Sequence, residues 1–121
     1  MQFDHLGIPT TKKHAGEIWI EPSRVWVTDA HRHRFGVEWL RYEPDSPVTG
    51  PLHDQPHLGF RVERKEQIPE SSKGMKVLLE PFDTGFCLAG FYETDEGALI
   101  ELIWYYGEMT AWAEQNRPLP K

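Results

Sequence analysis

Hydrophobic positions in this chain come in short runs, most of them alternating with polar residues, and the runs are divided by Pro, Gly and Asp turns. That period of two predicts strands. Residues 3–9 place Phe3, His5 and Gly7 on one face and Asp4, Leu6 and Ile8 on the other, with Pro9 as the stop. Residues 10–16 are polar and too few for a sizeable helix. Residues 17–20 and 24–27 are β-rich runs that form a hairpin over Glu21, Pro22 and Ser23. A loop with His31 and His33 leads to a strand over 35–43, in which Glu38 shares a face with Leu40 and Tyr42. Residues 44–56 hold four prolines and form a connector.

The pattern then restarts. Residues 57–63 predict a strand with His57, Gly59 and Arg61 on one face. Residues 64–73 are polar, with room for a helical turn or two, and a strand over 75–80 is halted by Pro81. Residues 86–93 and 98–105 form a hairpin whose turn ends in Gly97. Residues 108–115 suit a short helix with Met109, Trp112 and Ala113 on one side. The expected fold is α+β, mostly β. A first module spans 1–43, a connector 44–56, a second module 57–107 and a tail 108–121.

At 121 residues this is one domain with enough chain for a core, to which 5 Trp, 6 Phe and 4 Tyr contribute. A net charge of −6 and the lack of a basic stripe argue against nucleic acid and anionic membrane surfaces as partners. No apolar run approaches the roughly 20 residues of a membrane span. The start lacks the basic and apolar regions of a signal peptide. An intracellular, cytoplasmic protein is the expectation. The one cysteine, Cys87 between Phe86 and Leu88, excludes an intrachain disulfide and reads as a small buried hydrophobe.

The chemistry lies in a repeat. Asp4-His5-Leu6-Gly7-Ile8 is echoed by Pro56-His57-Leu58-Gly59-Phe60, and Val37-Glu38-Trp39-Leu40-Arg41-Tyr42 by Ile100-Glu101-Leu102-Ile103-Trp104-Tyr105. Each module thus has an imidazole near its start and a carboxylate near its end, which suggests a pseudo-twofold fold. If the halves face each other, His5, Glu38, His57 and Glu101 converge as two nitrogen and two oxygen donors, a set suited to a divalent transition metal. Such an ion acts as a Lewis acid, and a ligating Glu able to swing away serves as base. Glu101 sits in a run that is apolar on both sides, so its carboxylate requires a partner, either a metal or a cation such as Arg61. His31 and His33 read as residues of a solvated loop. Trp19, Trp26 and Trp39 suit a pocket lining, a core or a dimer interface.

These blocks, together with Thr94-Asp95-Glu96-Gly97-Ala98-Leu99-Ile100-Glu101-Leu102, resemble the vicinal oxygen chelate superfamily, which includes glyoxalase I, methylmalonyl-CoA epimerase, extradiol dioxygenases and bleomycin-binding proteins. The resemblance covers almost the whole chain and implies two βαβββ modules curled around a cleft. It also implies one divalent ion (Zn, Ni, Co, Mn or Fe) held by His5, Glu38, His57 and Glu101, with Glu38 and Glu101 as the catalytic carboxylates. The four-residue set is most like glyoxalase I. His5, His57 and Glu101 alone would give the facial triad of the iron dioxygenases. The implied partner is a small molecule, and the implied assembly a homodimer. The implied activity is lyase, isomerase or epimerase chemistry, with dioxygenase chemistry or non-catalytic binding as alternatives. One departure from the family pattern is expected: residues 10–16 leave no room for the first module's helix.

Overall fold

The structure, a computed structural model, describes residues 1–107; the tail and its expected helix lie outside the described residues. The first module contributes β1 (Gln2–Pro9), β2 (Ile18–Ile20), β3 (Val25–Val27) and β4 (Val37–Tyr42), with a single 3-10 turn at Ala30–Arg32. The second contributes β5 (His57–Arg61), β6 (Lys76–Asp83), β7 (Cys87–Glu93) and β8 (Leu99–Tyr105). Two short helices complete the chain. The first, α1 (Pro51–Asp54), lies in the connector, and the second, α2 (Gln67–Ser71), follows β5. The fold is α+β and mostly β, as the alternation of hydrophobic and polar positions requires. No helix among the described residues is long and apolar enough to cross a membrane.

All eight strands form one sheet in the order β2-β3-β4-β1-β5-β8-β7-β6. Each module pairs its first strand in parallel with its last, β1 with β4 and β5 with β8, and the modules join through antiparallel β1 and β5. The order reads alike from either end, so the pseudo-twofold axis passes between β1 and β5. The first module has no helix between β1 and β2, as residues 10–16 predict.

The sheet curls so that the inner faces of the two modules meet. Ile20, Val25, Val27 and Leu40 from the first module form one buried cluster with Phe86, Ala89, Phe91 and Ile103 from the second. The connector seals this cluster with Val48 and Leu52, both buried. On the outer face of the second module, α2 lays Ile68 over Leu102, Tyr92 and Val62. The first module has no such helix. Its outer face carries Trp19 against Trp26, Arg41 over Trp26 and bonded to Glu17 at 2.7 and 2.9 Å, and Trp39 stacked on His14. The three tryptophans therefore cover the outside of the sheet and do not line the interior.

One expected boundary is corrected. Pro81 does not halt its strand, because β6 runs on to Asp83. β6 is an edge strand and its ladder with β7 slips between Leu79 and Phe82, so a residue without an N–H is tolerated there. The 94–97 turn forms as expected: the Thr94 N–H donates to the Ala98 carbonyl at 2.9 Å, and Gly97 takes a φ of 93° that other residues rarely adopt.

Ile68 is 1 % exposed and is the buried residue of α2. Ile68→Ala should cost about 2–5 kcal/mol of stability in urea denaturation. A loss under about 1 kcal/mol would mean that the outer face of the second module does not depend on α2.

Candidate metal centre

The junction of the modules brings His5, Glu38, His57 and Glu101 to one place. The strand registers account for this. Across β1 and β5, His5 lies opposite Gly59 and Gly7 opposite His57. On the flanking strands, Glu38 pairs with Gly7 and Glu101 with Gly59. Two rows cross the sheet, Glu38-Gly7-His57 and His5-Gly59-Glu101. In each row a glycine separates an imidazole from a carboxylate. The glycines are a steric requirement: a Cβ on Gly7 would sit 2.1 Å from the His57 ring, and one on Gly59 would sit 2.3 Å from the His5 ring. The repeated His-Leu-Gly is therefore a packing motif as well as a source of donors.

The donor atoms converge closely. The two Nε2 atoms are 3.3 Å apart, and each lies 2.9 Å from Glu101 Oε1. Glu38 Oε1 lies 3.4 Å from His5 Nε2 and 3.9 Å from His57 Nε2. All four atoms fall within 4.8 Å of one another. Metal–donor bonds of about 2.1 Å at right angles place neighbouring donors about 3.0 Å apart, so the 2.9–3.3 Å separations among His5, His57 and Glu101 fit the edges of a coordination shell, with Glu38 standing a little farther out. His5, His57 and Glu101 are buried, and Glu38 is partly so. Glu101 takes both imidazoles as its partners; Arg61, the cation the sequence offered, is not among its contacts.

The electrostatics show what the cluster lacks. Burial pushes the Glu38 carboxyl up to about 8, with the Glu101 charge adding to burial and His5 opposing it. Against its own burial, Glu101 is held down at about 2, by the charge of His5 and by hydrogen bonds from both imidazoles. His5, also against its burial, is raised well above the usual histidine range by Glu38 and Glu101, with a further contribution from Asp4. Two carboxyl groups thus face two imidazoles in a site that buries all four side chains at least in part. A divalent cation would supply the missing charge, so the residues present fit such an ion.

A second layer escaped the sequence pattern. Asp4 Oδ2 lies 2.8 Å from His5 Nδ1 and accepts a hydrogen bond from the Tyr105 hydroxyl at 2.9 Å; Asp4 Oδ1 lies 2.8 Å from His31 Nε2. Burial would raise the Asp4 carboxyl, but hydrogen bonds from His31 and His5 hold it well below the usual carboxylate range. The Tyr105 phenol is pushed far up by burial and by the Asp4 charge. Strict alternation puts Asp4 on the face opposite His5, yet the β1/β5 ladder is irregular between Phe3 and His5 and the alternation fails there. The one available signal was the difference between the copies, Asp4 against Pro56. Accordingly His57 Nδ1 is buried with no hydrogen-bond partner.

His31 and His33 do not act together. His31 joins Asp4, while His33 Nδ1 accepts the Phe35 and Val37 N–H groups. Burial pushes the Cys87 thiol far up, and its sulfur lies 3.1 Å from the Thr84 hydroxyl, which suits a packed residue rather than a nucleophile.

No family model matches the chain, and no curated protein is significantly similar to it. Among solved structures the chain is similar to a glyoxalase/bleomycin resistance protein/dioxygenase from Alicyclobacillus acidocaldarius. The identity is 11 %, the match covers 86 % of this chain and 91 % of that one, and the TM-score is 0.37. At that level of similarity the chemistry of this chain rests on its own residues.

Two variants probe this arrangement. Asp4→Asn should weaken affinity for a divalent ion by about 10–100-fold, as loss of a carboxylate behind a ligating imidazole generally does; competition with a chromophoric chelator measures it. An unchanged affinity would remove Asp4 from the site. Gly59→Ala should lower stability by about 1–3 kcal/mol or more through overpacking against His5, read as a fall in Tm, and an unchanged Tm would contradict the packing role of the glycine.

Proposed function

We propose that the chain is a metal-dependent enzyme of the vicinal oxygen chelate type, acting on a small substrate bound through its oxygens at the His/Glu centre. The observation that carries this reading is the convergence of two Nε2 atoms and two carboxylate oxygens within 4.8 Å of one another, with His5, Glu38 and Glu101 on the lining of a largely apolar cleft. Held by His5, His57, Glu101 and Glu38, a divalent ion would supply Lewis-acid polarisation of a substrate oxygen.

The chain's own residues divide the remaining work. Glu101, 2.9 Å from both imidazoles, fixes the ligand set. Asp4 fixes the ring of His5. Glu38 is held at longer range and lines the cleft, so its carboxylate is the one free to take a proton from a carbon beside a carbonyl and return it. Proton transfer of this kind serves isomerisation, epimerisation and related lyase chemistry. The buried walls of the cleft exclude water from the reacting carbon.

One observation favours a second reading. His5 Nε2, His57 Nε2 and Glu101 Oε1 are mutually 2.9–3.3 Å apart, whereas Glu38 stands off. Three donors on one face match a 2-His-1-carboxylate iron site and its oxygen chemistry.

Metal analysis separates these readings. The purified protein should carry or take up about one divalent ion per chain, and His5→Ala, His57→Ala and Glu101→Ala should each weaken its binding strongly. Iron with substrate-dependent oxygen consumption would favour the second reading, and Zn, Ni, Co or Mn the first. A wild-type chain that binds none of these ions would overturn both.

A further inference from the structure

We propose that the cleft over the His/Glu cluster takes a compact ligand whose oxygen pair is carried on an apolar body, and that it discriminates against bodies bearing an anionic group. This inference rests on the metal-centre reading and names the substrate class for the same site.

The charge of the lining sets the first limit. Asp4, Asp29, Glu38 and Glu101 all border the cleft, and among the described residues no Lys or Arg does. Of the arginines next in sequence to its lining, Arg24 is bonded to Asp45 at 2.8 Å, Arg41 to Glu17 on the outer face, and Arg32 lines a neighbouring hollow with Asp29, His33 and Trp39. His5 and His31, the histidines of the lining, already face Asp4. A ligand carboxylate or phosphate away from the metal would find no Lys or Arg and several carboxyl groups, at the cost of desolvation.

The walls set the second limit. Besides the carboxyl groups the lining includes Val27, Leu40, Phe82, Phe86, Phe91 and Ile103, drawn from both modules. These groups give an anionic substituent no hydrogen bond, but they pack well against an aromatic or branched aliphatic body. Size is the third limit. The enclosed part of the cleft has room for a handful of waters or one ring-sized group.

The test uses the full-length protein loaded with zinc and a matched set of bidentate oxygen chelators: benzohydroxamic acid and its 4-methyl, 4-carboxylate and 4-amidino derivatives, titrated calorimetrically. Zinc uptake is measured first. The 4-methyl compound should bind at least as tightly as the parent, the 4-carboxylate at least ten-fold more weakly, and the 4-amidino compound more tightly than the 4-carboxylate. A 4-carboxylate that binds as tightly as the methyl or the amidino compound overturns this inference while leaving the metal reading intact. Failure of all four to bind a zinc-loaded chain also overturns this inference alone. Failure to take up zinc or any other divalent ion overturns both.

Discussion

The structure depends on one strand pairing. β1 and β5 run antiparallel at the centre of the sheet, in a register that sets His5 against Gly59 and Gly7 against His57. A shift by one residue would turn both imidazoles to the opposite face, separating them from the carboxylates and exposing the glycine gaps. The same register orders the flanking strands, because Glu38 and Glu101 enter through their pairing with Gly7 and Gly59. Fold and site are therefore fixed together. The contact that joins the modules is also the contact that assembles the four donors.

The modules are similar in topology and different in support. The second has α2 over its outer face, with Ile68 and Leu102 fully buried there. The first replaces a helix with paired tryptophans and the Arg41–Glu17 ion pair. The inequality reaches the donors. His5 is backed by Asp4, which is in turn held by Tyr105 and His31, whereas His57 follows a proline and its Nδ1 has no partner. Its orientation comes from packing instead: its ring lies edge-on to Phe91 and over Gly7.

Much of this was legible in the residues. Alternation and turn residues predicted eight strands in two sets, and the repeat singled out the four side chains that the structure brings together. Pro81 misled, because a proline ends a strand only where its missing N–H matters, and whether a strand lies at an edge is decided by tertiary pairing. The Asp4, His31 and Tyr105 layer was hidden for a related reason: its members lie far apart in sequence, and Asp4 enters through a local break in alternation. The outward tryptophans were ambiguous because a β-sheet with few helices has apolar positions on both faces.

X-ray absorption at the metal edge of the zinc-loaded protein tests the central claim most directly. The geometry of the junction predicts a shell of nitrogen and oxygen donors at about 2.0–2.2 Å, including the scattering signature of two imidazoles, one of which is lost in His57→Ala. A shell with no imidazole, a sulfur donor, or a spectrum unchanged by His57→Ala would contradict it, and the four residues would then be a hydrogen-bonded core and not a metal centre.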